Sequence, residues 1–197
     1  MKQVQDYYFH KAKKDGFPAR SVYKLEEAQK KFRLLRLGDF VLDLGCQPGS
    51  WSICTAQIVG PQGLVVGVDL NPGSIQVKGG APFHFVLGDI ARESVLARAQ
   101  SICPRFNVIV SDMAPKTTGN RWADQQHSLR LAWTVLEIVG PALRRGGHLY
   151  CKVFEGEDFK ELVVETRRLF KTARVFKPKS SRAESREVFL LGRGFRG

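Results

Sequence analysis

The acids that end apolar runs have the clearest chemical meaning in this chain. The run that contains Asp43 breaks at once into a turn with Gly45 and Gly49, and Asp69 ends the next run, twenty residues beyond Gly49. That spacing is typical of the acid that binds a ribose in nucleotide-binding α/β units. The turn has Gly-x-x-x-Gly spacing with Pro48 inside it, so it matches neither a dinucleotide site nor a P-loop. The pattern predicts a site for a single nucleoside, as in an adenosine-containing cofactor.

Two further acids, Asp89 and Asp112, follow the third and fourth apolar runs. A single acid at a strand end often only caps the next helix or turn. Four such acids at one edge of a sheet instead indicate a polar ligand that carries hydrogen-bond donors. Lys152 lies within the fifth apolar run, between Cys151 and Val153, where a charged side chain needs a partner or a function.

Alternating apolar runs and helix-compatible stretches must position these residues. The apolar runs cover 40–44, 64–68, 83–87, 106–110 and 147–154. The helix-compatible stretches cover 21–36, which carries Lys24, and 51–59, 92–101, 124–139 and 158–170. Strands that alternate with helices form a mostly parallel sheet covered on both faces, an α/β fold. Two last runs, 172–176 and 187–191, have no helix between them and predict an antiparallel edge pair, which completes seven strands.

Ligands of such sheets bind outside the carboxyl ends of the strands, at the point where the strand order reverses. The longest irregular stretches, 70–82 and 113–123, lie at that edge and are predicted to act as lids.

Length and composition favour one domain over residues 1–197, since 197 residues with 43% hydrophobic composition can form one full core. No apolar run approaches the length of a membrane span, and the first residues lack the apolar stretch of a signal peptide. We therefore expect a monomeric cytoplasmic protein. The four cysteines and four histidines lack ligand spacing, so no metal site is predicted.

The net charge of +12 is concentrated at the two ends of the chain. Residues 1–36 carry ten Lys and Arg against four acids, and residues 167–197 carry ten against two, whereas 37–166 carries eleven against thirteen. Aromatic residues interleave with the first basic cluster, at Tyr7, Tyr8, Phe9, Phe17 and Tyr23. This favours contact with a nucleic acid over simple solubilising tails. Residues 1–20 are predicted to be a flexible basic segment.

Five ordered motifs resemble the RlmE/FtsJ family of S-adenosylmethionine-dependent ribosomal RNA 2′-O-ribose methyltransferases. They are Arg20-Ser21-Val22-Tyr23-Lys24-Leu25, the Asp-Leu-Gly-x-x-Pro-Gly-x-Trp turn, Ser111-Asp112-Met113-Ala114-Pro115, Lys152 in Tyr-Cys-Lys-Val-Phe, and Ser181-Arg182-x-x-Ser185-x-Glu187. The resemblance covers about residues 7 to 192. The chain departs from the family's usual small residues at Cys46 and Gln47, and from its usual glycine at Ser50.

The resemblance implies a Rossmann-like class I S-adenosylmethionine-dependent methyltransferase fold and a catalytic tetrad. The tetrad maps onto Lys24, Asp112, Lys152 and Glu187, with Lys152 as the general base once its pKa is lowered toward about 7 to 8. Taken singly, Lys24 could be a solvated lysine, and Glu187 could simply pair with Arg186. The implied residues for binding S-adenosyl-L-methionine are Gly45, Gly49, Trp51, Asp69, Asp89 and Asp112. Trp51 could equally be a core residue.

The implied substrate is a uridine ribose in 23S-type ribosomal RNA, within the assembled large ribosomal subunit. Transfer RNA or an mRNA cap would suit the same chemistry. A non-catalytic RNA-binding protein of ribosome assembly could keep the fold, although it would not need Lys152 in a strand. A nicotinamide-dependent oxidoreductase is disfavoured by the spacing of the glycine turn.

Overall fold

All seven strands belong to one mixed sheet, as predicted. The structure is a computed structural model that describes residues 2–182 and 184–197. The strands are β1 Phe40–Leu44, β2 Leu64–Asp69, β3 Phe83–Leu87, β4 Phe106–Ser111, β5 Leu143–Phe154, β6 Phe170–Phe176 and β7 Glu187–Phe195. Their order is β3-β2-β1-β4-β5-β7-β6. Neighbours from β3 to β5 pair in parallel, whereas β7 pairs antiparallel with both β5 and β6.

Six helices are found in the described part of the chain, and those that follow strands cover both faces of the sheet. They are α1 Lys2–Lys14, α2 Val22–Phe32, α3 Ser50–Val59, α4 Glu93–Ile102, α5 Arg121–Ala142 and α6 Phe159–Leu169. Alternate strand residues point to opposite faces, so each strand contributes to two cores. In β1, Leu42 and Leu44 join the core under α4, α5 and α6, whereas Val41 joins the core under α2 and α3.

The segment whose flexibility is predicted from the sequence contains a helix, Lys2–Lys14, that the sequence analysis did not predict. Ala12 of α1 is buried, and the rings of Tyr8 and Tyr23 lie 5.3 Å apart. The Tyr23 hydroxyl also donates a 2.9 Å hydrogen bond to Asp15. These contacts are tertiary, which explains why a short stretch with few apolar residues gave little sign of a helix.

None of the helices formed by the described residues is both long and apolar enough to span a bilayer. Within residues 2–182 and 184–197, no three His, Cys, Asp or Glu side chains come together as a metal site would require.

Candidate active site

The strand order reverses between β1 and β4, and a cavity of about 300 Å³ opens there at the carboxyl edge of the sheet. This volume lies at the lower end of the range for ligand pockets. We call it the acid-lined cavity. It is lined by Gly45, Asp69, Asp89 and Asp112, all predicted from the sequence, together with residues that include Gln47, Ile90, Met113 and Leu131.

Backbone donors fix the acids of this cavity. Asp69 accepts hydrogen bonds from the amides of Gln47 at 2.9 Å and Asn71 at 2.8 Å. Asp89 accepts one from the amide of Ala91 at 3.0 Å. Each carboxylate oxygen can accept more than one hydrogen bond, so both acids keep capacity for a ligand's hydroxyl or amino groups.

The two glycines of the turn differ in position. Gly45 lines the cavity with φ +74°, and a Cβ there would lie 2.8 Å from the Met113 side chain. Gly49 precedes α3 with φ +110°, and a Cβ there would lie 2.7 Å from Ile75. Gly49 therefore allows the 70–82 loop to approach the start of α3, but it is not part of the cavity wall.

Trp51 takes one of the two positions that the sequence leaves open for it, the core. Its side chain does not line the acid-lined cavity but lies in the core on the α2 and α3 face of the sheet. The ring stacks on Tyr150 at 5.6 Å, and its Nε1 donates a 2.8 Å hydrogen bond to the carbonyl of Ser21. Trp51 is thus a core residue that joins α3 to the segment before α2.

Asp43 is one of the strand-end acids, and the sequence predicts no individual role for it. It is completely buried beside α3, where Ser52 Oγ donates to its Oδ2 at 2.6 Å. Burial raises the pKa of Asp43 to about 7, with the charges of Asp112 and Asp69 adding to that effect and the Ser52 hydrogen bond opposing it. A carboxyl group held this way responds strongly to any charge placed in the neighbouring cavity.

The four residues of the implied tetrad form two ion pairs. Lys152 Nζ lies 2.9 Å from Asp112 Oδ1 and also donates to the Asp112 carbonyl. Lys24 Nζ lies 2.7 Å from Glu187 Oε2. Asp112 also lines the acid-lined cavity, so the Lys152 pair lies at the wall of that cavity.

The register of β5 and β7 brings the two pairs to one face of the sheet. Phe154 lies opposite Glu187, and Lys152 lies opposite Phe189. Directly opposed residues share a face, as do residues two apart in a strand, so Lys152 and Glu187 are diagonal neighbours. Burial tends to raise the pKa of Glu187, but Lys24, a hydrogen bond from Ser181 and the charge of Lys152 outweigh it, and the pKa is lowered.

Two further contacts join the basic ends of the chain. Glu27 of α2 accepts hydrogen bonds from the amides of Lys179 at 2.7 Å and Ser180 at 2.8 Å. The Arg20 guanidinium donates to the Ser180 carbonyl at 2.7 Å. Residues from both charged ends thus meet beside Lys24 and Glu187.

The unusual Ser50 has a structural role. Its Oγ accepts a 2.7 Å hydrogen bond from the amide of Ala19, a contact that a glycine at this position could not make. Ser50 thereby attaches the segment before α2 to the first turn of α3.

The sequence profile of the FtsJ-like methyltransferase family matches residues 17–195. The chain belongs to this family. A relative from Desulfotalea psychrophila named ribosomal RNA large subunit methyltransferase E is 52% identical over 200 residues, covering 100% of this chain and 98% of that protein. A relative of the same name from Bdellovibrio bacteriovorus is 41% identical and covers 95% of each chain. The family resemblance predicted from the sequence is confirmed.

Two solved structures share the fold of this FtsJ-like chain. A Plasmodium falciparum protein described as a ribosomal RNA methyltransferase superposes with a TM-score of 0.80 at 24% identity, covering 92% of this chain and 100% of that one. Aeropyrum pernix fibrillarin, in complex with S-adenosyl-L-methionine, gives 0.63 at 16% identity, covering 87% and 76%. The predicted Rossmann-like class I S-adenosylmethionine-dependent methyltransferase fold is confirmed.

Proposed function

We propose that this FtsJ-like methyltransferase transfers a methyl group from S-adenosyl-L-methionine to the 2′-hydroxyl of a ribose in ribosomal RNA of the large subunit. The observation that carries the proposal is the meeting of Lys24, Asp112, Lys152 and Glu187 beside the acid-lined cavity. The names of the relatives support a large-subunit ribosomal RNA substrate.

The residues of the acid-lined cavity fit this methyl donor. Among the residues that line it, Gln47 has a buried side-chain nitrogen, Nε2, that has no hydrogen-bond partner within the described part of the chain. Asp69 would hold the ribose hydroxyls of the donor, Asp89 would lie by its adenine, and Gly45 would let the backbone approach its methionine part. When bound, S-adenosyl-L-methionine supplies a methyl group on a sulfonium, which is already activated toward a nucleophile.

The neutral amine form of Lys152 is the group that would accept the proton of the ribose hydroxyl. Its Nζ is held by Asp112 Oδ1 and by the Asp112 carbonyl, so the amine has a fixed position at the cavity wall. A fixed position matters because alignment of the reacting groups can contribute on the order of 7 to 11 kcal/mol. Proton transfer to a positioned side chain typically contributes about 10² to 10⁴ in rate.

The Lys24–Glu187 pair would act by positioning. Glu187 is held from two sides, by Lys24 Nζ at 2.7 Å and by Ser181 Oγ at 2.9 Å. It lies diagonally across from Lys152, so it fixes the electrostatic surroundings of that amine.

The basic ends of the chain support RNA as the acceptor. Residues 167–197 carry ten Lys and Arg against two acids, and they meet α2 next to the tetrad. Such a surface can bind the phosphates around the target nucleotide. We propose a uridine of 23S-type RNA as the target, presented within the assembled large subunit.

The test is transfer of labelled methyl groups to large subunits that lack ribose methylation. Free large-subunit RNA and free transfer RNA serve as parallel acceptors, and the products are digested with alkali. Label in an alkali-resistant dinucleotide from the subunits is the expected result, since a 2′-O-methyl group blocks cleavage at that ribose. Label in transfer RNA alone would mean that transfer RNA, and not large-subunit RNA, is the substrate. Label in alkali-sensitive nucleotides would refute ribose methylation. Tight binding of S-adenosyl-L-methionine without transfer to any acceptor would indicate a ribosome-assembly protein.

A further inference from the structure

A second cavity has a volume of about 250 Å³. Its walls include Arg121 and Gln125 from α5, Phe154 at the end of β5, and Ser185 and Arg186 before β7. We call it the Gln125 cavity. It adjoins the tetrad through two contacts, because Phe154 lies opposite Glu187 in the sheet and Ser185 Oγ accepts a 3.1 Å hydrogen bond from the Glu187 amide.

The side-chain amide of Gln125 is the unusual feature of this cavity. Gln125 is 8% exposed, and within the described residues its amide makes no hydrogen bond. It packs tightly over Gly156, where an added Cβ would lie 1.5 Å from Nε2. The amide atoms are not among the side-chain atoms that are both buried and without a partner, so the amide faces the open cavity, where a ligand can replace water as its hydrogen-bond partner. The position therefore fits a group that receives a hydrogen-bonded ligand.

The neighbouring acid does not supply that partner. Asp124 Oδ1 accepts hydrogen bonds from the amide and hydroxyl of Thr118, at 2.7 and 2.9 Å, and Oδ2 accepts one from the amide of Gly119 at 3.3 Å. Asp124 thus fastens the loop after Asp112 to the start of α5. The polar groups left to meet a ligand are the Gln125 amide, the Ser185 hydroxyl and three exposed charged groups, which are the guanidinium groups of Arg121 and Arg186 and the carboxylate of Glu184.

An aromatic side chain, an amide and two flanking cations match the chemistry of an unstacked nucleobase. Such bases stack on aromatic rings and hydrogen-bond through their Watson–Crick edges, while arginines bind the adjoining phosphates. An amide can both donate to and accept from a base edge. In the Gln125 cavity, Phe154 offers the ring and Gln125 offers the amide.

We propose that the Gln125 cavity receives the base of the nucleotide whose ribose is methylated, a proposal that rests on the proposed function. Phe154 lies two strand residues beyond Lys152 on the same face, a distance of about 7 Å. A ribose held at Lys152 would therefore have its base within reach of this cavity. The base must leave any stacked helix to enter, as in enzymes that turn a nucleotide out of the stack.

The test compares Gln125→Leu and Phe154→Ala with Gln126→Leu as the matched control. Gln126 is the next residue of α5, but its amide is already bonded to Asp158 at 2.7 Å and does not line the cavity. The measurements are kcat/KM with large subunits that lack ribose methylation and Kd for S-adenosyl-L-methionine. Both cavity variants should lower kcat/KM by about tenfold or more, as expected for a lost base contact or stacking partner.

The possible results distinguish the base-binding proposal from the proposed methyltransferase function. The two cavity variants should keep the wild-type Kd for S-adenosyl-L-methionine. The control Gln126→Leu should keep a near-normal kcat/KM. Equal kcat/KM in wild type and both cavity variants would refute the base-binding cavity and leave the methyltransferase proposal standing. A matching loss of cofactor affinity, or of melting temperature, would also refute it, because the effect would then be structural. An inactive wild type would refute both proposals.

Discussion

The two halves of the sheet's carboxyl edge are organised in different ways. At β1 to β3, the acids Asp69 and Asp89 are held by backbone amides only 2 to 22 residues away in the chain. At β5 and β7, Lys152 is held by a residue 40 positions away and Lys24 by one 163 positions away. The acid-lined half is built locally, whereas the cationic half exists only once the sheet and α2 have come together.

This difference matches a division of labour in the proposed reaction. The acid-lined half suits a small cationic donor with hydroxyl and amino groups, and the cationic half suits a polyanion. The Asp112–Lys152 pair lies between the halves, at the one place where both ligands would meet. Variants on either side should therefore affect one ligand and spare the other.

The largest expected effect is at the boundary itself. Lys152→Ala removes the proposed proton acceptor, so kcat should fall by about 10² to 10⁴ while Kd for S-adenosyl-L-methionine stays near wild type. Single-turnover methyl transfer and calorimetric titration measure the two quantities. Lys160→Ala, at an exposed position of α6, is the control. Near-normal turnover of Lys152→Ala would refute its role as a base.

The second effect concerns stability on the acid-lined side. The pKa of Asp43 is raised from an ordinary value of 3.8 to about 7, so the folded protein keeps a proton that the unfolded chain releases between those values. The free energy of unfolding of wild type, relative to Asp43→Asn, should fall by about 3 kcal/mol as pH rises from about 4 to 7. Urea denaturation at a series of pH values measures it.

Ser52→Ala sharpens that prediction. The Ser52 hydrogen bond lowers the pKa of Asp43. Without that bond, the pKa should be higher, and the free energy of unfolding should continue to fall up to a higher pH. A difference between wild type and Asp43→Asn that does not vary with pH would contradict the raised pKa.

The same contrast between local and long-range contacts explains what the sequence could predict. Strands β1 and β3 have the predicted limits, because their alternation and flanking turns are local signals. Helix α1 was missed because its apolar residues pack on another element rather than repeating clearly along the chain. The orientation of Trp51 was equally invisible, since its position at the first turn of α3 does not say which neighbour its ring faces.

The residues of the candidate site show the same contrast between local signals and long-range contacts. Asp69, Asp89 and Asp112 could be predicted as cavity residues because strand-end acids in a parallel sheet reach one edge whatever the details of packing. Lys24 and Glu187 could be assigned only through the family resemblance, since nothing local links α2 to β7. Gln125 gave no signal at all, because a glutamine in a helix ordinarily faces solvent and its surroundings come from β5 and the segment before β7.

The third prediction tests the acid-lined half through Asp69. Asp69→Ala should weaken binding of S-adenosyl-L-methionine by about 10- to 150-fold, the usual range for loss of a charged hydrogen-bond partner. Asp69→Asn keeps one acceptor oxygen, enough for only one of the amides of Gln47 and Asn71, which bond to Oδ2 and Oδ1 respectively, and should lose less than Asp69→Ala. Binding of RNA by either variant should match wild type. Exposed Glu157→Gln is the control, and an equal loss of RNA affinity would contradict the division.

The fourth prediction tests the long-range assembly of the cationic half. Lys24→Met and Glu187→Met should each destabilise the protein, and the double variant should lose less than the two losses combined. A coupling of about 0.5 to 3 kcal/mol is expected for such a contacting pair. Urea denaturation of the four proteins measures it. The exposed Arg168–Glu165 pair of α6 should have a smaller coupling free energy. Equal coupling free energies would mean that burial does not strengthen the Lys24–Glu187 interaction.

The smallest effect is expected from a single cation beside the Gln125 cavity. Arg186→Gln should remove one phosphate contact, so the plot of log K for RNA binding against log salt should become shallower by about 0.7. Arg145→Gln, at the opposite edge of the sheet beside Gly146, carries the same change in net charge and should leave the slope unchanged. Fluorescence anisotropy with labelled large-subunit RNA at several salt concentrations measures both. If the two variants lowered the slope equally, RNA would be attracted by the overall charge of the protein, and the cationic half would not be a distinct surface.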